Sequence, residues 1–400
     1  MISVNNGLTL KSSKKTKGEE VMGMIKYGMV GGGPGAFIGD VHRKAIGMDA
    51  LACLVAGSFS RNAEKNASMA EKLHLDPTRV YKDYREMAEK EANRPDGIQV
   101  VVCVTPNVSH YDVCKAFLEK GINVVCDKPL TCTVEQAEEL VRLKNKKDLL
   151  FGVTYTYTGY PAVKQMRELV RKGVIGKIRY VAGEYPQDWL AKDVDESSSL
   201  APWRMNPDVS GVTNCLGDIG THIEALVAEV TGLRIKSVCA RMDRLVEGRT
   251  LDDNDTVLIE YEGGAKGCYW SSQIAWGYDN AIRIRIFGEK GGLEWFQEDP
   301  DHFTLTPDNG PKQRWSRGRD GFAECAQRYS RIPSGHQEGL IEAFANIYRA
   351  YFEALSKKLN GEKLTEDDID YPTAEMGLDG VRYIHKCVES SSKGAVWVNY

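Results

Sequence analysis

Val100–Val104 (VVVCV) is apolar at every position. A strand with one wet face alternates, so a run without polar interruption has to be covered on both faces, as happens in the middle of a parallel sheet. Its surroundings repeat the theme. Lys26–Val30, Leu51–Ala56, Ile122–Cys126 and Leu149–Thr154 read as further strands. Between them, Val41–Gly47, Asn62–Leu73, His110–Lys120 and Val134–Lys144 carry apolar residues at helical spacing, and the third of these stops at Gly121, a residue suited to a helix C-terminus. Strand–helix repeats of this length predict an α/β Rossmann-type, doubly wound parallel sheet over residues 25–151.

Past Thr154 the rhythm changes. Lys177–Tyr185, Lys236–Leu245, Thr256–Tyr261, Ala265–Ile274, Ile282–Phe287 and Gly292–Gln297 read as extended stretches, with Glu262-Gly263-Gly264 as a hairpin turn. Helices are expected at Ala162–Lys172, Leu340–Leu359 and Ala374–Val388. Residues 152–400 therefore read as an α+β C-terminal domain with a large, mostly antiparallel open sheet and helices on one face. Four hundred residues suit two such domains.

Charge narrows the function. Fifty-two Lys and Arg against 56 Asp and Glu give a net charge of −4, which argues against a dedicated nucleic-acid binder. No run approaches the ~20 apolar residues of a membrane span. The ten cysteines form no CxxC pair and sit mostly in apolar runs, as reduced core residues do; no metal site is expected. Residues 1–24 are polar, with four lysines and no apolar core, and read as a disordered extension. Cytoplasmic localisation follows as the default expectation.

The chemistry-bearing motifs lie at strand ends. Gly31, Gly33 and Gly35 or Ala36 follow the first strand and open a helix; backbone N–H groups and the helix N-terminus can then meet a pyrophosphate without a Cβ in the way. The second strand ends in Gly57-Ser58-Phe59-Ser60-Arg61, with no carboxylate for a ribose. The Ser60-Arg61 pair favours the 2′-phosphate of NADP over NAD. Thr105, Pro106 and Asn107, with His110 close behind, follow the apolar strand and face the crevice by topology. His110 reads equally as a cofactor contact or as a helix-start residue. Cys126-Asp127-Lys128-Pro129 places a lysine at the next strand end. Asp218 and His222 are four apart; on a helix they share a face, so the carboxylate could orient the imidazole and favour its charged form.

In this order the motifs resemble the Gfo/Idh/MocA oxidoreductases, the glucose–fructose oxidoreductase and inositol dehydrogenase family. The late segment Phe287–Trp295 (FGEKGGLEW) strengthens the likeness, and GGGPGAFIG, TGYP and EYPQDWL resemble its levoglucosan-dehydrogenase-like and glycoside-3-dehydrogenase-like branch. The resemblance spans Ile25 to Tyr400, with Asp127 standing where the family usually has Glu. It implies hydride transfer between a nicotinamide, NAD or NADP, and a secondary alcohol of a pyranose, glycoside or cyclitol. Lys128 would polarise the oxygen and also touch the cofactor, His222 would exchange the proton, and Asp218 would orient His222. It implies a homodimer or homotetramer. Its alternatives are a non-catalytic dinucleotide and sugar sensor, or a lyase or hydrolase on tightly held NAD. For the substrate pocket, aromatic faces and polar tips of the kind that bind sugars are found at Tyr157, Asp188, Trp189, Trp203, Arg204 and His336.

Overall fold

The computed structural model describes residues 23–192 and 206–400; most of the expected N-terminal extension, together with Trp203 and Arg204, lies outside them. Its first sheet is wholly parallel, in the order β2-β1-β3-β4-β5. The strands are β1 (Ile25–Gly31), β2 (Ala52–Ser58), β3 (Val100–Val104), β4 (Asn123–Cys126) and β5 (Phe151–Val153). All five residues of β3 are buried, as an unbroken apolar run requires. Helices α1 (Phe37–Gly47), α2 (Ala63–Lys72), α3 (Tyr84–Ala92), α4 (His110–Glu119) and α5 (Val134–Lys146) link the strands.

Beyond β5 come α6 (Pro161–Arg171), β6 (Ile178–Pro186), α7 (Pro207–Ser210), α8 (Thr221–Thr231) and β7 (Ile235–Asp243). Next are β8 (Asn254–Tyr261), β9 (Lys266–Ser272), β10 (Arg283–Gly288), β11 (Gly291–Phe296), β12 (His302–Pro307) and β13 (Gln313–Ser316). The chain closes with α9 (Glu324–Gln327), α10 (Leu340–Leu359), α11 (Ala374–Ser392) and β14 (Val398–Asn399). The nine strands run β13-β12-β11-β10-β6-β9-β8-β7-β14. Every pairing is antiparallel except β6 with β9, so the sheet is mixed but mostly antiparallel. One face packs Val181, Ile284 and Ile286 against Ile223, Leu226 and Val227 of α8. Tyr180, Leu258 and Phe287 remain exposed. Among the described residues no helix is long and apolar enough to cross a membrane.

The C-terminal helices change the expected division of the chain. Phe344, Tyr348, Tyr351 and Leu355 of α10 share one core with Ile25, Tyr27 and Met29 of β1 and Ile46 of α1. Leu378 and Val381 of α11 join the core on the other face, with Val101, Phe117 and Leu140. Residues 25–151 therefore do not close their own core, and a boundary at 151 cuts β5. The chain returns to its first sheet after building its second, which brings the two sets of strand ends to one cleft.

Candidate active site

The glycine turn is shaped by close approach. Gly31 has φ 88°, and a Cβ there would lie 2.6 Å from the carbonyl oxygen of Val104; one on Gly33 would lie 2.8 Å from that of Phe59. The turn is thus wedged between the ends of β3 and β2. Ala36 caps α1 with no side-chain acceptor, so the first-turn N–H groups have no side-chain partner, and Gly35, Ala36, Phe37 and Ile38 line the cleft. That is the donor set a pyrophosphate needs, and a nicotinamide dinucleotide fits it. Ser60 accepts from the Asn62 N–H at 3.2 Å, and Arg61 stands exposed beyond β2; neither lines the cleft.

Thr105, Pro106 and Asn107 do line it, and Asn107 Nδ2 donates to the Ser210 carbonyl at 3.2 Å. His110 does not. It opens α4 with its ring turned inward and fully buried, Nδ1 lying 2.8 Å from the Pro129 oxygen and Nε2 2.8 Å from the Thr105 oxygen. Its place is behind the two loops, tying them together.

The cleft has a volume of about 630 Å³, and Asp127, Lys128, Asp218 and His222 all border it. Lys128 Nζ donates to Asp218 twice, to Oδ1 at 2.9 Å and to the main-chain oxygen at 2.6 Å. Asp218 Oδ2 accepts from Gln273 Nε2 at 2.9 Å. Gln273 Oε1 in turn accepts from Asn214 Nδ2 at 2.7 Å. Asp252 closes this chain by accepting the N–H groups of Asn214 and Leu216, both at 2.7 Å.

The expected pairing of Asp218 with His222 is not what forms. Between Leu216 and Gly220 the helix is widened: the Thr221 N–H donates back to Leu216, five residues earlier. A widened turn removes the i, i+4 alignment on which the expectation rested. Among the described residues, Asp218 bonds Lys128 and Gln273, while His222 Nδ1 is buried with no partner. Nor is the imidazole held in its charged form. Burial, reinforced by the Lys128 ammonium and opposed by Asp218 and Asp127, pushes its pKa down to about 3. Three phenol rings surround it edge-on, with Tyr157 at 4.8 Å, Tyr155 at 5.8 Å and Tyr185 at 6.2 Å between centroids.

Opposite the strand ends lies a neutral polar wall. Asn280 accepts from the Tyr185 hydroxyl at 2.5 Å and from Gln187 at 2.7 Å, and donates to the Tyr157 oxygen at 3.0 Å. Trp189 Nε1 donates to Gln187 at 3.0 Å. Of the residues expected at the substrate, Tyr157 and Trp189 border the cleft. Asp188 instead accepts the Gly277 N–H at 3.1 Å, away from the lining. His336 is exposed on a loop where its carbonyl oxygen takes the Arg317 guanidinium, and does not border the cleft. Asn280, Gln273, Asn214 and Phe344 were not foreseen. Each is brought in by tertiary folding, and only Gln273, directly after an alternating strand, had a position that could have suggested it.

Comparisons with known proteins agree with this fold. Residues 25–155 match the model of an oxidoreductase family with an NAD-binding Rossmann fold, and residues 163–294 match the GFO/IDH/MocA C-terminal domain. The uncharacterized oxidoreductase YfiI of Bacillus subtilis is 36% identical, over 94% of this chain and 97% of that protein. The levoglucosan dehydrogenase of Pseudarthrobacter phenanthrenivorans is 26% identical over 70% of this chain and 76% of its own. Among solved structures, an inositol dehydrogenase homolog from Azotobacter vinelandii, complexed with NAD+, superimposes with a TM-score of 0.91 at 36% identity, covering 96% of this chain and 99% of that one. The same homolog is also known with NADH and myo-inositol, at a TM-score of 0.88. With family models matching residues in both sheets and a relative 36% identical over 94% of its length, the chain belongs to the Gfo/Idh/MocA family of NAD-binding oxidoreductases.

Proposed function

We propose that the protein oxidises a secondary alcohol of an uncharged cyclitol, pyranose or glycoside, with a nicotinamide dinucleotide as hydride acceptor. The observation that carries this reading is the Lys128–Asp218 couple beside a neutral His222, in the cleft onto which the glycine turn opens. The relatives named for inositol and levoglucosan support the substrate class. So does the wall: Tyr157, Tyr185, Gln187 and Asn280 offer neutral donors and acceptors. Among the described lining residues Lys128 is the one cation, already engaged by Asp218, so a phosphate or carboxylate substrate would meet no free countercharge among them.

The bound dinucleotide supplies the hydride acceptor; the rest is done by side chains. Lys128 spends two N–H groups on Asp218, which leaves the third for the substrate oxygen, where it stabilises developing alkoxide character. His222, kept neutral, accepts the hydroxyl proton, and its partnerless Nδ1 is the kind of buried group a polar ligand would satisfy. Asp218 holds Lys128 in place. The open sheet face around Tyr180, Leu258 and Phe287 suits pairing with a second copy of the chain.

The test is fluorescence titration with NADH and NADPH separately. Inositols and neutral sugars are then offered with the oxidised forms while absorbance of the reduced nicotinamide is followed. Saturable binding and polyol-dependent absorbance growth, slowed ~10²–10⁴-fold in Lys128→Met, is the expected result. Binding with no turnover on any neutral polyol would overturn the proposal.

A further inference from the structure

Asp127 borders the same cleft, yet the chemistry above gives it no task. Its Oδ1 accepts from the Lys128 main-chain N–H at 2.8 Å and from the Thr154 hydroxyl at 2.9 Å. The carboxylate therefore fixes the backbone from which the Lys128 side chain springs. Its other oxygen, Oδ2, faces Nε2 of His42 at 3.8 Å. His42 lies on α1, fully buried, and among the described residues that Nε2 has no hydrogen-bond partner. Its Nδ1 lies 2.5 Å from the hydroxyl of Tyr348 on α10, 306 residues along the chain.

The direction of these bonds can be worked out. Burial pushes the Tyr348 phenol well above its ordinary pKa, so the proton stays on oxygen. Asp127 is held below the usual carboxylate range: burial alone would raise it, but His42, Lys128 and His110 together outweigh burial. The carboxylate beyond Nε2 favours the ring proton on Nε2, and the phenol, which keeps its own proton, can then donate it to Nδ1. A buried N–H then points at a carboxylate with nothing else to receive it. A small closure turns that approach into a charge-assisted hydrogen bond.

We propose that His42, its tautomer set by Tyr348, is a positioning residue that holds the Asp127 carboxylate and thereby the Lys128 backbone against Asp218. The inference rests on the proposed dehydrogenase reading. It gives α10 a part in the site: the helix that covers the first sheet also supplies the hydroxyl that orients His42.

Two measurements test it. In the first, kcat and KM for a neutral polyol, the dissociation constant for NADH and the melting temperature are compared for His42→Leu, His42→Gln and Tyr348→Phe. His42→Leu is expected to lower kcat by ~10-fold or more, as loss of one charge-assisted hydrogen bond at the site would, with KM and NADH affinity within about threefold. His42→Gln keeps an N–H that can reach Asp127 and is expected to recover most of the loss. Tyr348→Phe, which frees the tautomer without removing the ring, is expected to fall between them. A His42→Leu protein that is folded at the assay temperature and retains wild-type kcat would overturn the inference, as would a Gln variant no better than Leu.

The second measurement needs no turnover: nitrogen NMR of histidine-labelled protein, reading which ring nitrogen of His42 carries the proton. Nε2–H alone in the wild type and a mixture in Tyr348→Phe support the relay; Nδ1–H, or protons on both ring nitrogens, in the wild type refutes it. Should the wild type oxidise no polyol at all, the functional reading fails while this result still decides the relay.

Discussion

Lys128 and Asp218 are bonded to each other, and that fixes how their variants must combine. Removing the ammonium in Lys128→Met takes away the donor to the substrate oxygen, for which acid–base and electrostatic help is typically ~10²–10⁴-fold in kcat. At 1.36 kcal/mol per tenfold this is about 3–5 kcal/mol of transition-state stabilisation. Asp218→Asn leaves the main-chain bond to Lys128 at 2.6 Å intact and weakens the side-chain bond at 2.9 Å. Hydrogen bonds to charged groups contribute about 1.5–3 kcal/mol, so the single variant should lose ~10–10²-fold. If Asp218 acts by holding Lys128, it has nothing left to hold once the lysine is gone. The double variant should then match Lys128→Met alone, with a coupling energy of about 1.5–3 kcal/mol, equal to the whole Asp218 effect. The assay is steady-state oxidation of the best polyol from the panel, with kcat and KM resolved and dinucleotide affinity checked by fluorescence. Additive losses in the Lys128/Asp218 pair would refute the reasoning. Coupling of Asp218 to His222 instead would restore the pairing that the widened turn breaks.

Further expectations concern titration and cofactor choice. His222 stays neutral down to about pH 3 in the folded protein, against its usual 6.5; the unfolded chain binds the extra proton first, so His222 costs stability as pH falls below about 6.5. Denaturation at pH 7.5 and 5 should show a smaller acid loss in His222→Gln, and an unchanged slope would count against the buried neutral state. Glu224 behaves oppositely: burial, with Asp379 nearby, lifts its carboxyl to about 8 from 4.5, so the native state holds a proton the unfolded chain releases and stability falls as pH rises through that window. The melting temperature of Glu224→Gln, relative to wild type, should climb between pH 5 and pH 8; a constant difference would refute it. Arg61→Ala should weaken NADPH binding far more than NADH binding in parallel titrations, and equal changes would remove the argument for a 2′-phosphate contact.

What could be read from the sequence was whatever a local pattern enforces. The apolar run of β3 has to be covered on both faces, and it is. Gly31 and Gly33 could be placed because a turn that meets a pyrophosphate tolerates no Cβ; the structure adds that the ends of β3 and β2 leave no room for one either. Lys128 could be placed at a strand end, but it was the family resemblance that joined it to Asp218. What failed was the local geometry assumed between known residues. Asp218 and His222 are four apart in number, but the widened turn at Leu216–Gly220 separates their faces. His110 follows a strand end, as a cofactor contact would, yet its ring finds two main-chain oxygens on the inner side. The edge strands β13 and β14, and β12 beside the first of them, gave little signal, and no sequence pattern announces that β6 pairs parallel with β9.

The deepest omission was tertiary, because α10 reads as an ordinary amphipathic helix of the second domain and says nothing of where its apolar side goes. It goes to the first sheet. Phe344 thereby reaches the cleft and Tyr348 reaches His42, so that a helix near the chain's end closes the core beneath the cofactor turn and borders the substrate cleft. This arrangement makes the two halves of the chain interdependent. The loop that carries Asp127 and Lys128 is set from one side by β4 and from the other by a helix that follows most of the second sheet in the chain. A first half expressed alone would expose the apolar face formed by Ile25, Tyr27, Met29 and Ile46, which is why the site belongs to the whole fold and to neither half of it.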